Sequence, residues 1–313
     1  MHVEAHTPTV LVHLASGIGN IVLATPLLVA LNHMGFVVDL LLHADYPQTA
    51  DLLRDWSVIR EVYDGRSPHI PPLSPYDVII PAIPPFYWPR FAHLYTKTSR
   101  KTRRPPDALF YQDEQAYYLA FAHELGYPRA RQPFYRLPIA PRDGCGVTAR
   151  TLIIAPGCKT GEMAAKRWPH FPQLAARFED VAIVGTADDV RGDNGAAWPL
   201  PQHVRSFVDQ LTLRETAELL AAAGAVVGND SGLSHMAAAV GTPTVMLFGP
   251  TPHLSLGQLP PHMKVLRTGL ACEPCWFRVR FQACAAQMHC LHRLTVEAVE
   301  QELRILLGLD SAG

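Results

Sequence analysis

Residues 225–252, AVVGNDSGLSHMAAAVGTPTVMLFGPTP, indicate more about the architecture than any other part of the chain. The apolar start of this stretch ends at Gly228, which predicts a buried strand, and a small polar turn follows. A helix is predicted to begin at Ser234, and another strand covers Thr244–Phe248. Backbone N–H groups at the start of such a helix lie at the carboxyl edge of a parallel sheet, where they bind phosphate well. The turn 229–232 is therefore either a phosphate site or a plain strand–helix connection with Asp and Ser as caps.

The alternation of strands and helices continues outward from this stretch. A second α/β half begins at Thr151, and the first 45 residues read as strand, glycine turn, helix and strand, which is a βαβ unit. Between the halves, residues 133–150 contain three prolines and two glycines and are predicted to form a linker. We therefore predict an α/β protein with two Rossmann-like domains, residues 1–145 and 146–313.

The composition is that of an ordinary globular protein. Of the 313 residues, 48% are hydrophobic and 18% are charged, which argues against disorder. The formal net charge of −1 indicates no whole-molecule attraction to nucleic acid. The N-terminal apolar run is too short for a membrane span and lacks the basic lead of a signal peptide. We predict a cytoplasmic protein without a nucleic-acid partner, and peripheral membrane contact stays open.

The stretch 225–252 resembles glycosyltransferase family 9, the ADP-heptose:lipopolysaccharide heptosyltransferases and their relatives. The family carries a D-[ST]-G-x-x-H-x-A-A-x-x-x-x-P pattern followed by F/Y-G-P-T. The matching residues are Asp230, Ser231, Gly232, His235, Ala237, Ala238, Pro243 and Phe248 to Thr251. A second match consists of Ala155-Pro156-Gly157 and Lys166-Arg167-Trp168-Pro169. The resemblance spans almost the whole chain, most densely its C-terminal half, and implies a GT-B architecture with two Rossmann-like domains facing across a cleft.

The resemblance implies that the C-terminal domain holds a nucleotide-diphosphate donor. Asp230 would contact hydroxyls of the donor sugar, while Ser231 and Gly232 would hold the diphosphate. Lys166 would contact the phosphates, and a fixed cation beside a departing diphosphate lowers the barrier. The other predicted donor-site residues are Gly157, Thr160, Asp189 on the nucleotide ribose, and His235. Structural roles stay open for several: a solvated lysine, a helix-capping aspartate and a packed histidine.

The turn that closes the first strand departs from the family pattern. Gly17–Asn20 resembles an S-x-x-G-D turn whose aspartate is the general base that deprotonates the acceptor hydroxyl. This chain has Asn20 there, and a carboxamide cannot take up a proton at neutral pH. Three explanations remain: another residue is the base, the acceptor hydroxyl depends less on a general base, or the protein has lost its activity. His13, His43 and Asp45, at the carboxyl ends of the first two strands, are candidate substitutes, and Asn20 would still position the acceptor or the turn.

Residues 84–106 break the α/β pattern, because they are rich in proline, aromatic and basic side chains. They form either a lip that binds an anionic glycolipid acceptor or an exposed loop with solubilising charge.

Four cysteines are crowded into residues 272–290 with the spacing C-x2-C-x8-C-x5-C: Cys272, Cys275, Cys284 and Cys290. Four thiolates this close in sequence could hold zinc or iron in a tetrahedral site, which would be structural because no position stays open for catalysis. The alternative is four reduced cysteines that pack a loop.

Taken together, the patterns predict a glycosyltransferase, and the family resemblance implies that it inverts the anomeric centre without a catalytic metal. It would move a sugar, on the resemblance heptose from ADP-heptose, to a hydroxyl on a glycan, lipopolysaccharide core or protein. Two alternatives stay open: a catalytically silent protein that binds sugar nucleotides or acts as a scaffold, and a GT-B-like epimerase or hydrolase.

Overall fold

A computed structural model describes most of the chain, and in it the chain folds into two units. The described residues are 6–98, 100–159, 166–192, 195–275, 284 and 288–309. One unit comprises Met1–Pro138 with Leu254–Leu259, and the other comprises Ile139–His253 with Pro260–Gly313. The boundary after Pro138 lies inside the predicted linker. The sequence did not predict that a short segment of the C-terminal half would belong to the first unit.

The first unit is built on a parallel sheet with the strand order β3-β2-β1-β4. The strands are β1 (Thr9–Ser16), β2 (Val37–Ala44), β3 (Glu61–Asp64) and β4 (Val78–Pro81). The two central strands are apolar and buried along most of their length, as expected for parallel strands covered on both faces.

The helices of the first unit are α1 (Ile18–Leu23), α2 (Thr25–His33), α3 (Trp88–Phe91), α4 (Asp107–Gln112) and α5 (Glu114–Glu124), with 3₁₀ turns at Pro47–Leu52 and Ala92–Tyr95. The start of α5 is fixed by Asp113, whose carboxylate accepts a hydrogen bond from the backbone N–H of Ala116 at 2.8 Å. This cap places Glu114 in the first turn of the helix.

The second unit contains a larger parallel sheet with the strand order β10-β9-β8-β5-β6-β7. The strands are β5 (Leu152–Ala155), β6 (Val181–Ile183), β7 (Arg205–Ser206), β8 (Ala225–Asn229), β9 (Thr244–Leu247) and β10 (Met263–Leu266). Strand β5 ends level with β8, since Ala155 pairs with Gly228, and Asn229 pairs with Leu247 of β9. Three neighbouring strands therefore end at one edge of the sheet.

The helices of the second unit are α6 (Phe171–Ala175), α7 (Leu213–Ala222), α8 (Gly232–Ala239), α9 (His289–His292) and α10 (Val296–Leu306), with a 3₁₀ turn at Ala187–Val190. The start of α8 lies two residues before the predicted Ser234. The fully buried Trp168 packs in the core among residues of β5, β8 and α10. Within the described ranges, no helix is long and apolar enough to cross a membrane.

Candidate functional site

Two loops of the second unit meet at the carboxyl edge of its sheet, and Asn229 joins them. Its side chain, fully buried, donates from Nδ2 to the carbonyl of Pro156 at 2.6 Å and accepts at Oδ1 from the backbone N–H of Trp168 at 2.9 Å. Its own carbonyl accepts a hydrogen bond from Ser234 at 2.7 Å. A buried amide with all these partners fixes the loop after β5 against the turn before α8. Asn229 was not among the site residues predicted from the sequence, although it directly precedes the predicted Asp230.

Three of the residues predicted to form the donor site lie next to each other. The Lys166 ammonium is 3.0 Å from Oδ2 of Asp230, and Nε2 of His235 is 3.5 Å from Oδ1 of the same carboxylate. Burial raises the pKa of Asp230, but the neighbouring Lys166 and His235 outweigh it and hold the pKa below its usual value. The carboxylate is therefore ionised at neutral pH and keeps the ammonium at the edge of the sheet.

The start of α8 completes this arrangement. Ser231 precedes the helix in an extended conformation, its side chain makes no capping hydrogen bond within the described residues, and its hydroxyl is 3.4 Å from that of Ser234. The first N–H groups of a helix have no partner within the helix, and the helix dipole places positive charge there. Gly232 is the first helical residue, so the turn can accept an anion close to its backbone.

Asp189, predicted to bind the ribose, is engaged in contacts that hold its own loop. Its Oδ2 accepts from both the N–H and the hydroxyl of Thr186 at 2.9 Å, and its Oδ1 pairs with Arg167 at 3.0 Å. A Cβ added at Gly157 would lie 2.7 Å from the carboxyl carbon of Asp189. Gly157 is thus required for this close approach, and the capping interpretation of Asp189 accounts for its contacts. Thr160, the other predicted donor-site residue of this loop, lies outside the described residues.

In the first unit, Asn20 lies in a short chain of hydrogen bonds. Its Oδ1 accepts from the Ser16 hydroxyl at 2.6 Å, and its Nδ2 donates to Oε1 of Glu114 at 2.7 Å. Tyr118 donates to the same oxygen at 3.3 Å. Glu114 is 7% exposed and was not among the residues identified from the sequence. No sequence pattern links it to residue 20, because the two are 94 positions apart.

The predicted substitute bases lie in a second group. His13 is fully buried and hydrogen-bonds to the Tyr95 hydroxyl through Nδ1 and to Nδ1 of His43 through Nε2, the latter at 2.7 Å. Burial, with a smaller effect of His43, lowers the pKa of His13 well below its usual value. The ring of His13 therefore stays neutral and is enclosed by protein. This placement does not support the prediction that His13 removes a proton from the acceptor.

Basic side chains of the 84–106 segment are partly used inside the first unit. Arg100 donates to the carbonyl of Ser74 at 2.9 Å, and Lys101 donates to that of Tyr95 at 3.1 Å. Arg104 pairs with Asp107 at 2.6 Å and lies 4.8 Å from the centre of the Trp88 ring. These contacts stabilise the segment, so only part of its predicted cationic surface faces outward.

The predicted metal site is not assembled among the described residues. Cys290 is buried in the core of the second unit, whereas Cys272 is exposed. Burial is the main cause that raises the pKa of the Cys290 thiol to about 12, and the Glu273 carboxylate is the second. No three His, Cys, Asp or Glu side chains of the described chain are placed to share a metal ion. Cys275 and Cys284 are both half-buried, and the thiols of Cys272, Cys275 and Cys284 all lie near enough to Cys290 to add to the rise of its pKa.

Sequence comparison connects this geometry to a family. The family model "Glycosyltransferase family 9 (heptosyltransferase)" matches residues 101–285. Lipopolysaccharide heptosyltransferase 2 of Escherichia coli strain K12 is 34% identical over 170 residues, which are 50% of this chain and 47% of that protein. The aligned part of the chain thus spans about half the length of this curated relative.

Structural comparison covers nearly the whole chain. The structure of Escherichia coli ADP-heptose lipopolysaccharide heptosyltransferase II has a TM-score of 0.67 at 20% identity, over 97% of this chain and 100% of that chain. The family 9 glycosyltransferase of Veillonella parvula DSM 2008 has a TM-score of 0.76 at 18% identity, over 98% and 99%. The predicted α/β class with GT-B architecture is confirmed by these likenesses.

Proposed function

Because the chain belongs to glycosyltransferase family 9, we propose that it transfers heptose from ADP-heptose to a hydroxyl of a lipopolysaccharide core. The relatives support this choice, since the Escherichia coli protein is named a lipopolysaccharide heptosyltransferase and its structure an ADP-heptose heptosyltransferase. Transfer would invert the anomeric centre in a single displacement. Other acceptors, such as a different glycan or a protein hydroxyl, can each be added to ADP-heptose in an assay that measures the release of ADP.

The observation that carries the proposal is the meeting of Lys166 with the turn before α8. Two regions 64 positions apart bring an ammonium within 3.0 Å of the Asp230 carboxylate, beside the start of a helix. The α- and β-phosphates of the donor would bind the first N–H groups of α8, with Lys166 bridging Asp230 and the diphosphate. Asp230, held in place by His235 as well, would accept hydrogen bonds from the sugar hydroxyls.

This arrangement provides what the departure of a diphosphate requires. Negative charge develops on the leaving oxygen as its bond to the anomeric carbon breaks. A lysine already oriented by a half-buried carboxylate stabilises that charge without reorganising at the moment of reaction. The side chain of Lys166 is 9% exposed, so water screens its charge little.

We expect ADP to stabilise the protein against heat through Lys166. At an ADP concentration 100 times Kd, binding adds about 2.7 kcal/mol, or roughly 5–10 °C for units of this size. Lys166→Ala should weaken binding at least about tenfold, which would halve the shift at the same concentration. Differential scanning fluorimetry with ADP, UDP and GDP measures this.

The matched control is Lys264→Ala, which removes an exposed lysine from β10. Its ADP shift should equal that of the wild type. Equal shifts in both variants would place the donor elsewhere, and a larger shift with UDP or GDP would overturn the choice of base. Release of ADP from ADP-heptose on addition of lipopolysaccharide cores ending in zero, one or two heptoses tests the transfer itself.

The cysteine segment carries a separate prediction, a structural zinc or iron ion on Cys272, Cys275, Cys284 and Cys290. Its support is the spacing in the sequence, while among the described residues no three His, Cys, Asp or Glu side chains are placed to share a metal ion. Metal analysis of the anaerobically purified chain should find about one equivalent of zinc plus iron if the ion binds. Less than about half an equivalent of metal would contradict the predicted metal site. No step of the transfer depends on it.

The cellular location of the protein is also a proposal. We propose that the chain works in the cytoplasm, with contact to a membrane surface when its acceptor is a glycolipid. Cell fractionation with detection of the chain in soluble and membrane fractions tests both, and recovery from the periplasm would contradict the location.

A further inference from the structure

The amide of Asn20 can be oriented in only one way. A carboxylate accepts hydrogen bonds and, when ionised, donates none, so the group facing Glu114 at 2.7 Å must be the NH₂ of Asn20. The amide oxygen then faces Ser16, whose hydroxyl donates to it at 2.6 Å. Residue 20 is thus held as a neutral donor whose partner is a carboxylate.

The side chain of Glu114 reaches this position from α5, and two features of the helix fix it there. The Asp113 cap sets the first turn, and Tyr118, one turn further on, donates to the Glu114 carboxylate at 3.3 Å. The next residue, Gln115, is bound to the carbonyls of Leu256 and Gln258. The carboxylate is therefore positioned by rigid structure beside the turn that follows β1.

The other candidate bases around this turn are occupied differently. His43 hydrogen-bonds to His13 and to the backbone of Gly65, and burial, partly offset by that backbone bond, lowers its pKa. Asp45 accepts the hydroxyl of Tyr87. Among these groups, Glu114 is the carboxylate that hydrogen-bonds directly to residue 20, the position to which the family pattern assigns the base.

We infer that Glu114 is the general base of the transfer, in place of a carboxylate at residue 20. This inference rests on the proposed function. The acceptor hydroxyl loses its proton to the Glu114 carboxylate, and its oxygen forms the bond to the anomeric carbon. The bond between that carbon and the diphosphate oxygen breaks, and ADP leaves with the electron pair. The proton remains on Glu114, and Asn20 orients the carboxylate and the acceptor.

A general base at Glu114 also explains why residue 20 is an amide. An aspartate there would place a second carboxylate within hydrogen-bond distance of Glu114. Two carboxylates this close do not both ionise at neutral pH, so one would hold a proton and the pair would titrate together. With asparagine at residue 20, Glu114 has an amide rather than a second carboxylate as its hydrogen-bond partner.

The test compares Glu114→Gln with the exchanged pair Asn20→Asp/Glu114→Gln. Glu114→Gln should lower kcat about 10²–10⁴-fold and abolish the acidic limb of the pH–rate profile, while the ADP thermal shift stays that of the wild type. The exchanged pair should regain at least about tenfold of kcat over Glu114→Gln, because it restores one carboxylate and one amide. ADP release with a lipopolysaccharide core is the readout.

Glu61→Gln, which neutralises an exposed glutamate of β3 in the same unit, is the control and should keep the wild-type kcat. A kcat for Glu114→Gln within twofold of wild type, with the same pH profile, would overturn the inference and leave the proposed function standing. If the wild type transfers heptose to no core although ADP stabilises it, the proposed function fails and the inference with it.

If Glu114→Gln folds poorly, the single variant Asn20→Asp still tests the inference. Two adjacent carboxylates would raise the pKa of the base, so the acidic limb of kcat should move to higher pH. A limb that does not move would overturn the role of Glu114.

Discussion

At the scale of single residues, the site depends on polar groups that are buried together. Asn229 binds both loops at the sheet edge, and Lys166 and Asp230 compensate each other's charge there. A buried charge without its partner is costly, so each of these residues constrains the other. The residues of the proposed donor site consequently also contribute to the stability of the second unit.

Asp230 should therefore give stability a recognisable pH dependence. Burial alone would raise its pKa in the folded state, but Lys166 and His235 hold that pKa below the ordinary value of 3.8. A depressed pKa means that the contribution to stability is complete above about pH 5 and is lost as the pH falls through and below 4. Asp230→Asn should be less stable by about 2 kcal/mol at pH 7 and should flatten this acid dependence.

Urea unfolding between pH 7 and pH 3 measures the effect. Asp188→Asn, which changes an exposed carboxylate in the neighbouring loop, is the control and should keep the wild-type slope. If Asp230→Asn retained the full acid dependence of the wild type, the ion pair with Lys166 would not be the source of the stabilisation.

At the scale of elements, α5 organises the first unit beyond its own length. Its first turn carries Glu114 toward Asn20 and Gln115 toward the Leu254–Leu259 segment. The amide of Gln115 donates to two backbone carbonyls of that segment, one of them at 2.8 Å. Gly257, with a φ of +76°, approaches Asp113 so closely that an added Cβ would be 2.4 Å from its carboxylate oxygen. One helix start thus holds both the candidate base and a segment from late in the chain.

Removing the Gln115 amide should loosen that segment selectively. Gln115→Ala loses two hydrogen bonds worth about 1 kcal/mol each, so amides of residues 254–259 should exchange with solvent roughly tenfold faster or more. Hydrogen–deuterium exchange with mass spectrometry measures this. Gln112→Ala, at the exposed end of α4, is the matched control, and equal exchange in the two variants would mean that other contacts hold the segment.

At the scale of the whole molecule, the two proposals rest on different units. The proposal for the donor rests on Lys166 and the start of α8 in the second unit, and the inference about the base rests on Glu114 and Asn20 in the first. The predicted halves, 1–145 and 146–313, differ from the units observed, because the boundary lies after Pro138 and the segment 254–259 belongs to the first unit. The family match crosses this boundary, since it covers residues 101–285.

Local sequence patterns were sufficient to predict the α/β class and the strand–turn–helix at Asp230, whereas the meeting of that turn with the Lys166 segment was expected from the family resemblance. These features can be predicted because hydrophobic periodicity, glycine turns and short motifs depend on residues near each other in the chain. The helix after the turn was predicted to within two residues for the same reason.

The folded chain was needed to show that Glu114 lies beside Asn20, that Asn229 joins the loops, that His13 is enclosed and that Cys290 is buried while Cys272 is exposed. Each of these depends on which side chains packing brings together across tens of positions. Such contacts leave no local pattern, because the free energy that selects them comes from burial and hydrogen bonding between distant elements.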